Sequence, residues 1–464
     1  MIPRPTFTTR SPPALPWRKP RFELLVLALA AFAALTPLNG TSSQDVSRVC
    51  LARVLLHGSV SADSCLSTRL GLDKSGHGGH LYSDKAPGMS VIEMPTVAIA
   101  SLGEPSGWPS YSARLWLVRL LSSGIAFLAV VFLVGRVTEG IAPGLGSLSA
   151  VTFGLGTLVG PLAAANFEHV MTGALAFGAF LLAWRRRPVA AGLVTGAALL
   201  TAYESAIVVA LLGIYVALQG GAVLRRYVAG IVPGAVLLGA YDQVAFGAPW
   251  HFSYRYIVGE NASNQAAGFF GIHLPSTHGT HAVFAGSAGL LVVSPVLIAA
   301  AAGLVPLSRR YGREAALCVA VVVAFVLLNC GYFLPYGGIS PGPRFLAPAL
   351  PFLALGLAPA LRSRAGLLTV ALSAVSVAAT VATILTWWML APSPNWIWTP
   401  LAHLVTAPSE ITSNLTSNIL VPLGASRTLA AVLVALSGVA AFVVASLSAR
   451  DALRRPVGDG GEIA

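Results

Sequence analysis

Charge of either sign is scarce in this chain, and acidic side chains are the scarcest. Of 464 residues, 17 are Asp or Glu and 29 are Lys or Arg, whereas 55% of the residues are hydrophobic. A soluble globule of this length needs far more polar surface than that. Together with a mean hydropathy of +0.76, the shortage of charge excludes a soluble protein and indicates one that lies in a bilayer.

Cysteine is also sparse, and four cysteines exclude a disulfide-rich scaffold. Cys50 and Cys65 share the first long polar connection, where an oxidising compartment permits a disulfide. The sequence leaves both the paired and the reduced state of these two residues open. Cys318 and Cys330 fall within one apolar run and are predicted to be packing residues.

Apolar runs long enough to cross about 30 Å of hydrocarbon, with about 20 residues each, recur along the chain. The alternating segments of a membrane β-barrel are missing. We therefore predict an all-α, polytopic transmembrane bundle of about 12 spans, with 11 to 13 compatible with the pattern. The runs lie near 22–38, 112–135, 145–163, 168–184, 189–202, 204–220, 227–247, 284–306, 315–334, 345–361, 366–390 and 428–448. The stretch 189–220 can also be read as one broken helix.

Most Lys and Arg residues lie in alternate short connections, as the positive-inside rule describes. This placement explains the net charge of +12 without a nucleic-acid partner. It predicts cytoplasmic termini, with a basic segment 1–21, a single transmembrane domain 22–448 and a tail 449–464. The first outer loop, 39–111, is the longest early polar segment.

Two helices are predicted within this outer loop. Ser42 or Ser43 can cap a helix that runs to about His57 and lies along the interface. The segment from Pro87 to Ala100 is apolar but short, which predicts a second interfacial or re-entrant helix. Tryptophans 387, 388, 396 and 398 are typical of an interfacial belt.

Acids near membrane depth are candidate functional residues. Asp45 begins the first interfacial helix and either accepts a proton or serves as an ordinary first-turn acid. Asp84 is predicted to orient or deprotonate an acceptor hydroxyl, and Lys85 to bind a phosphate. A local ion pair is the alternative for these two residues. His77 and His80 lack a third ligand, so we assign no metal-binding residues, although a divalent cation is compatible with the chemistry.

Further candidates fall on the predicted outer side. Arg344 follows a loop rich in Gly and Pro and is predicted to bind phosphate through its guanidinium, with headgroup anchoring as the alternative. Asp242 lies deeper in its span, where a hydrogen bond between helices is expected. The predicted cavity-lining residues are Tyr82, His80, Glu168, His169, Tyr203, Glu204, Tyr254, Arg255 and Tyr336.

Four segments together resemble bacterial glycosyltransferases of the GT-C superfamily, of the protein mannosyltransferase and aminoarabinose transferase type. They are Gly79–Ser90, Phe167–His169, Tyr203–Glu204 and Tyr336–Leu346. The resemblance covers about residues 22–361. It implies an outward-facing cavity, a polyprenyl-phosphate sugar donor, inversion at the anomeric carbon and a catalytic aspartate in the first outer loop. By position this role falls on Asp45, although a single acid stands where relatives often carry a pair, so Asp84 stays an alternative.

The predicted activity is therefore transfer of a sugar, hexosyl or pentosyl, from a polyprenyl phosphate to a glycan, lipid or protein acceptor. The reaction would take place at the outer face of the cytoplasmic membrane. A transporter or flippase of lipid-linked sugars is the alternative, because such proteins also carry polar groups between apolar helices. A flippase would spread these groups over both halves of the membrane, whereas here they concentrate on the outer side.

Overall fold

The computed structural model describes residues 12–15, 20–67, 73–102, 113–386 and 415–454. These residues form a helical bundle with two very small sheets. Five described helices are long and apolar enough to cross a membrane, and a sixth span results if one bent pair is counted as a unit. The protein is thus a multi-pass membrane protein. The predicted belt tryptophans lie outside the described residues.

Helix occupies each of the twelve predicted apolar runs. Up to the middle of the chain the helices are α1 (Pro20–Leu35), α2 (Ser43–Leu56), α3 (Asp63–Leu66), α4 (Gly88–Ala100), α5 (Ala113–Arg119), α6 (Ile125–Ile141), α7 (Gly146–Leu155), α8 (Val159–Ala163), α9 (Glu168–Trp184), α10 (Pro188–Thr201), α11 (Ala206–Ala217) and α12 (Gly221–Phe246). A π-helical turn, Leu120–Gly124, joins α5 to α6. Several of these helices have only 10–17 residues, so the number of spans stays a prediction.

The second half of the chain continues the bundle. Its helices are α13 (Ala262–Ala266), α14 (Thr277–Ala285), α15 (Leu290–Val293), α16 (Val296–Arg310), α17 (Gly312–Gly331), α18 (Leu350–Ala354), α19 (Leu357–Leu361), α20 (Gly366–Thr386) and α21 (Arg427–Arg454). Cys318 and Cys330 are free and buried in α17, as predicted. Helix α21 extends to Arg454, so the predicted tail begins as helix.

The break predicted near Tyr203 is present, and one predicted run is bent. The stretch 189–220 forms two helices separated by a 3-10 turn, Tyr203–Ser205. The run 284–306, predicted as one span, is instead bent by 85° between Thr277–Val293 and Val296–Arg310. Pro295 explains the bend, because proline disfavours helical geometry in the residue before it, and Ser294 has φ −141° and ψ 60°.

The two helices predicted in the loop 39–111 are confirmed. Ser42 caps α2 and forms a reciprocal capping box with Asp45, and α2 ends at Leu56. Helix α4 starts at Gly88, next to the last turn of α10. A Cβ atom at Gly88 would lie 2.6 Å from the Leu200 carbonyl oxygen, so this close approach requires glycine.

A β-hairpin precedes α4, where the sequence predicted only a loop. Strand β2 (Lys74–His77) pairs antiparallel with β3 (His80–Ser83). Gly78 and Gly79 form the two-residue turn with φ values of 59° and 83°, as a tight hairpin requires. The second small sheet pairs β1 (Pro37–Leu38) with β4 (Ser417–Asn418). The bundle has one large apolar core, and a smaller one lies beneath α2, α4 and the end of α12.

Candidate active site

A disulfide and a carboxylate fix the hairpin to α2. Cys50 and Cys65 form a disulfide that joins α2 to α3, with Cα atoms 5.9 Å apart. On α3, Asp63 accepts a hydrogen bond from the Leu81 amide at 2.6 Å, while the Ala62 amide donates to the Leu81 carbonyl at 2.8 Å. Strand β3 is thereby held directly before Asp84 and Lys85.

Lys85 lies between two acids. Its Nζ atom is 2.9 Å from Asp73 Oδ1 and 2.9 Å from Asp84 Oδ2. Ser43, at the start of α2, also donates to Asp73. Lys85 and Asp84 are buried, with relative exposures of 7% and 2%. This three-residue group, Asp73, Asp84 and Lys85, is called the lysine cluster below.

The two acids of the lysine cluster have pKa values shifted in opposite directions. Burial raises the pKa of Asp84 to about 6, with the Asp73 charge acting in the same direction and Lys85 opposing it. Burial also disfavours ionisation of Asp73, but Lys85, Ser43 and Arg344 outweigh it and lower the pKa of that carboxyl. One acid that stays ionised beside one poised near neutral pH is an arrangement typical of acid–base chemistry.

Hydroxyl groups from α2 and β3 orient Asp84. The Ser47 hydroxyl donates to Asp84 Oδ1 at 3.4 Å and lies 2.7 Å from the Ser83 hydroxyl. The Lys85 amide donates to Ser83 Oγ at 3.1 Å. The Asp84 carboxyl therefore has a fixed direction in the folded protein.

Asp45, predicted as a catalytic acid, is surrounded by donors. Its carboxylate accepts hydrogen bonds from the Ser42 amide and hydroxyl, each at 2.7 Å. Arg119 donates to it through Nε at 3.0 Å and Nη2 at 2.7 Å, and also binds the carbonyl groups of Asn39 and Gly40. Asp45 has a relative exposure of 0%, so its carboxylate is buried and both of its oxygens accept hydrogen bonds.

Arg48, one turn further along α2, pairs with Glu168 at the start of α9. It also donates at 2.7 Å to Gln44 Oε1 and at 2.7 Å to the Asn166 carbonyl. Arg48 has 0% exposure. Sequence reasoning missed this residue because it described α2 by its apolar stripe alone, although an arginine inside such a stripe is itself a signal of a buried partner.

A third group contains Glu168, His169 and Glu204, which the sequence predicted on the same outer side of the bundle. One potential ligand atom from each lies within 4.8 Å of the others. His169 Nδ1 is 3.3 Å from Glu204 Oε1, yet neither ring nitrogen of this buried histidine has a hydrogen bond within the described part of the chain. An imidazole and two carboxylates suit a divalent cation such as Zn²⁺, so these residues fit a cation.

Arg344 and several aromatic rings border the same region. The Arg344 guanidinium lies 4.6 Å from the centroid of the Phe167 ring. Lys85 Nζ lies 5.8 Å from the centroid of the Tyr254 ring, which contacts Tyr203 with ring centroids 5.3 Å apart. The site therefore combines cations with aromatic faces.

Four of the predicted cavity-lining residues contact neither the lysine cluster nor the group of Glu168, His169 and Glu204. His80 is exposed and pairs with Asp63 at 2.7 Å. Tyr82 packs on Phe246 in the smaller core. Arg255 is exposed. Tyr336 turns toward the segment between α14 and α15, where Gly286 leaves room for its hydroxyl.

The structure adds residues that the sequence did not point out. Asp73 belongs to the lysine cluster, and its signal was available, because it is one of few acids in the polar loop 39–111. Tyr332 lies in contact with Phe345, with ring centroids 5.1 Å apart, and donates to Gln265 Oε1 at 3.0 Å. No local pattern distinguishes Tyr332 from the neighbouring Tyr336.

The sequence matches no protein-family model, and no curated protein matches it significantly. The fold, however, resembles solved structures. The aminoarabinose transferase ArnT from Cupriavidus metallidurans, in its apo crystal structure, superposes with a TM-score of 0.51 and 16% identity. The match covers 93% of this chain and 76% of ArnT.

Two structures of the Archaeoglobus fulgidus oligosaccharyltransferase also match. The apo form has a TM-score of 0.40, 14% identity and 93% coverage of this chain. The form with an inhibitory peptide and a dolichol-phosphate has a TM-score of 0.43, 13% identity and 94% coverage. This chain spans 56% of the length of each. The likeness to ArnT shows the fold, a multi-pass helical bundle of the kind predicted from the sequence.

Proposed function

We propose that this protein is a membrane glycosyltransferase that moves a sugar from a polyprenyl-phosphate donor to an acceptor hydroxyl. The lysine cluster carries the proposal, because it places a buried cation for a phosphate beside an acid with a pKa of about 6. The GT-C fold is consistent with this activity. The acceptor is a glycan, a lipid or a protein that presents the hydroxyl.

Lys85 and Arg344 are the proposed phosphate ligands. Lys85 offers a compact charge and Arg344 a planar fork with several donors. Lys85 is balanced by Asp73 and Asp84 while both are ionised. When Asp84 takes up a proton, this balance shifts toward positive charge, just as negative charge grows on the departing phosphate.

Asp84 is the proposed general base. It removes the acceptor hydroxyl proton while that oxygen forms a bond to the anomeric carbon. The bond from the anomeric carbon to the phosphate oxygen breaks, and the polyprenyl phosphate leaves with the electron pair. Attack opposite the leaving group inverts the anomeric centre. Asp84 takes precedence over Asp45 because the Asp45 carboxylate accepts four hydrogen bonds of 2.7–3.0 Å from Ser42 and Arg119. Asp84 is held by Lys85 at 2.9 Å and by the longer 3.4 Å contact with Ser47.

Glu168, His169 and Glu204 would hold a divalent cation if the enzyme uses one. When bound, such an ion supplies positive charge to the donor phosphate. The residues themselves keep one face of the site polar, and Arg48 holds Glu168 at the start of α9. Asp84 and Lys85 perform their roles independently of this ion.

We place the reaction at the outer face of the cytoplasmic membrane, with both termini in the cytoplasm. The bias of Lys and Arg toward alternate connections supports this orientation. Segment 39–111, which carries Asp84 and Lys85, then faces outward.

Purified protein in lipid nanodiscs should consume a polyprenyl-phosphate sugar from a panel and release polyprenyl phosphate when an acceptor is present. Asp84→Asn should abolish turnover, since an amide cannot accept the proton, whereas Glu260→Gln, at an exposed acid, should retain it. Release of product by Asp84→Asn at the wild-type rate would refute the base assignment. Transport of intact donor across the bilayer without cleavage would favour the flippase alternative.

A further inference from the structure

We propose that Asp242, Tyr203 and Ser253 form a positioning chain that fixes the backbone of Asp84. This inference rests on the proposed role of Asp84 as the base and adds three residues that act on it without touching the substrate. The chain begins inside the bundle on α12 and ends at the hairpin.

The chain is a continuous set of polar contacts. The Tyr203 hydroxyl donates to Asp242 Oδ1 at 3.4 Å. The Ser253 hydroxyl lies 3.2 Å from the Tyr203 hydroxyl oxygen and donates to the Asp84 carbonyl at 2.6 Å. A carbonyl group can only accept, so the Ser253 proton points to Asp84. Ser253 Oγ then accepts from Tyr203, whose single proton is shared between Ser253 Oγ and Asp242 Oδ1.

Two of the three residues are buried, so the loss of one of these hydrogen bonds is costly. Asp242 and Ser253 both have 0% exposure. Within the described residues, the second Asp242 oxygen has no hydrogen bond, so Tyr203 is the side chain that satisfies this carboxyl group. A buried polar group that loses its partner retains its full desolvation penalty, so the chain resists rearrangement.

Tyr203 also contacts the site through its aromatic ring. Its ring contacts those of Phe252 and Tyr254, with centroids 5.1 Å and 5.3 Å away. Tyr254 in turn lies beside Lys85 Nζ. The 3-10 turn between α10 and α11 therefore supports both members of the Asp84–Lys85 pair, the acid through its carbonyl and the lysine through an aromatic ring.

Ser253 also connects this turn to the other strand of the hairpin. The Ser75 hydroxyl on β2 donates to the Ser253 carbonyl at 2.8 Å, and the Val258 amide donates to the Lys74 carbonyl at 3.2 Å. The segment 253–258 thus holds β2 while Ser253 holds the residue after β3. Loss of the Tyr203 hydroxyl should allow Asp84 to shift without unfolding the hairpin.

Steady-state kinetics of the purified enzyme test the proposal. Tyr203→Phe and Asp242→Leu should each lower kcat about tenfold or more, with the donor KM within about twofold of wild type, because a small misplacement of the base affects the transition state. Asp242→Asn should keep kcat within about threefold, since its amide oxygen still accepts from Tyr203. The double variant Tyr203→Phe/Asp242→Leu should be no slower than Tyr203→Phe alone.

Tyr256→Phe is the matched control. Tyr256 belongs to the same 3-10 turn as Ser253, but its hydroxyl contacts His251 Nδ1 at 3.0 Å, so its loss should leave kcat unchanged. If Tyr203→Phe does not fold, Ser253→Ala provides the same test at the end of the chain.

Wild-type kcat in Tyr203→Phe, Asp242→Leu and Ser253→Ala would overturn the inference, provided that Asp84→Asn is inactive. An Asp242→Asn enzyme as slow as Asp242→Leu would also overturn it, because charge rather than the hydrogen bond would then matter. Full activity of Asp84→Asn would instead refute the proposed base.

Discussion

Arg119 holds Asp45 by two charge-assisted hydrogen bonds in a fully buried ion pair, with Nε 3.0 Å from Oδ1 and Nη2 2.7 Å from Oδ2. The pair connects the first turn of α2 to the end of α5. Helix α2 also carries Ser43, Ser47 and Arg48, which contact the site. The pair therefore sets the position of α2 against the bundle.

Removing Arg119 should destabilise the protein strongly. Arg119→Leu leaves the Asp45 carboxylate buried without its cation, a change that typically costs about 3–5 kcal/mol. We expect a clear drop in the thermal unfolding temperature in detergent. Asp45→Leu/Arg119→Leu should recover part of that loss, because no charge then remains unpaired. Equal stability of wild type and Arg119→Leu would contradict the structural role of the pair.

The pH dependence of turnover should reflect Asp84. The base works only when ionised, and its pKa is raised to about 6, so kcat/KM should fall as the pH drops through about 6. Asp73→Asn removes a like charge that raises the Asp84 pKa and should move this acidic limb to lower pH. Measurement of kcat/KM from pH 4.5 to 8 checks both. An acidic limb that stays in place in Asp73→Asn would argue against Asp84 as the titrating group.

The disulfide should contribute to stability. Cys50 and Cys65 are 15 residues apart in sequence, and a loop of that size gives about 3 kcal/mol. Cys50→Ala/Cys65→Ala should unfold at a lower temperature than the oxidised wild type. A reducing agent should lower the unfolding temperature of wild type and leave that of the double variant unchanged, because the other two cysteines are free. An equal effect on both proteins would point to a different thiol.

The group of Glu168, His169 and Glu204 should bind a divalent cation. We expect one Zn²⁺ per protein, measured by elemental analysis after dialysis, because an imidazole and two carboxylates whose ligand atoms lie within 4.8 Å of one another suit that ion. His169→Ala should lose the ion, while His80→Ala, at an exposed histidine far from both glutamates in sequence, should keep it. If the wild-type protein is still metal-free after incubation with Zn²⁺ and dialysis, the prediction that this group binds a cation is wrong.

We propose Asp84 ahead of Asp45 as the base, the reverse of the order that position in the chain implied. Both acids lie in segment 39–111. Their surroundings support this preference, since Asp45 contacts an arginine from α5, whereas Asp84 shares a lysine with Asp73. Arg344, His169 and Glu204 were predicted near Asp84 from topology, and the structure brings them to the same region. Tyr336 was not separable from Tyr332 because both follow the end of α17 at Gly331, and no local pattern specifies the course of the loop there.

The sequence by itself determined the apolar helices, a cap of α2 at Ser42 or Ser43 and a second helix from about Pro87. These features depend on hydropathy, capping and turn residues, which act over a few neighbouring positions. Only the tertiary structure decided which charges meet, because Arg119 and Asp45 are 74 residues apart and Arg48 and Glu168 are 120 apart. Such pairs form where helices pack, and packing depends on side chains from the whole bundle rather than on any local pattern.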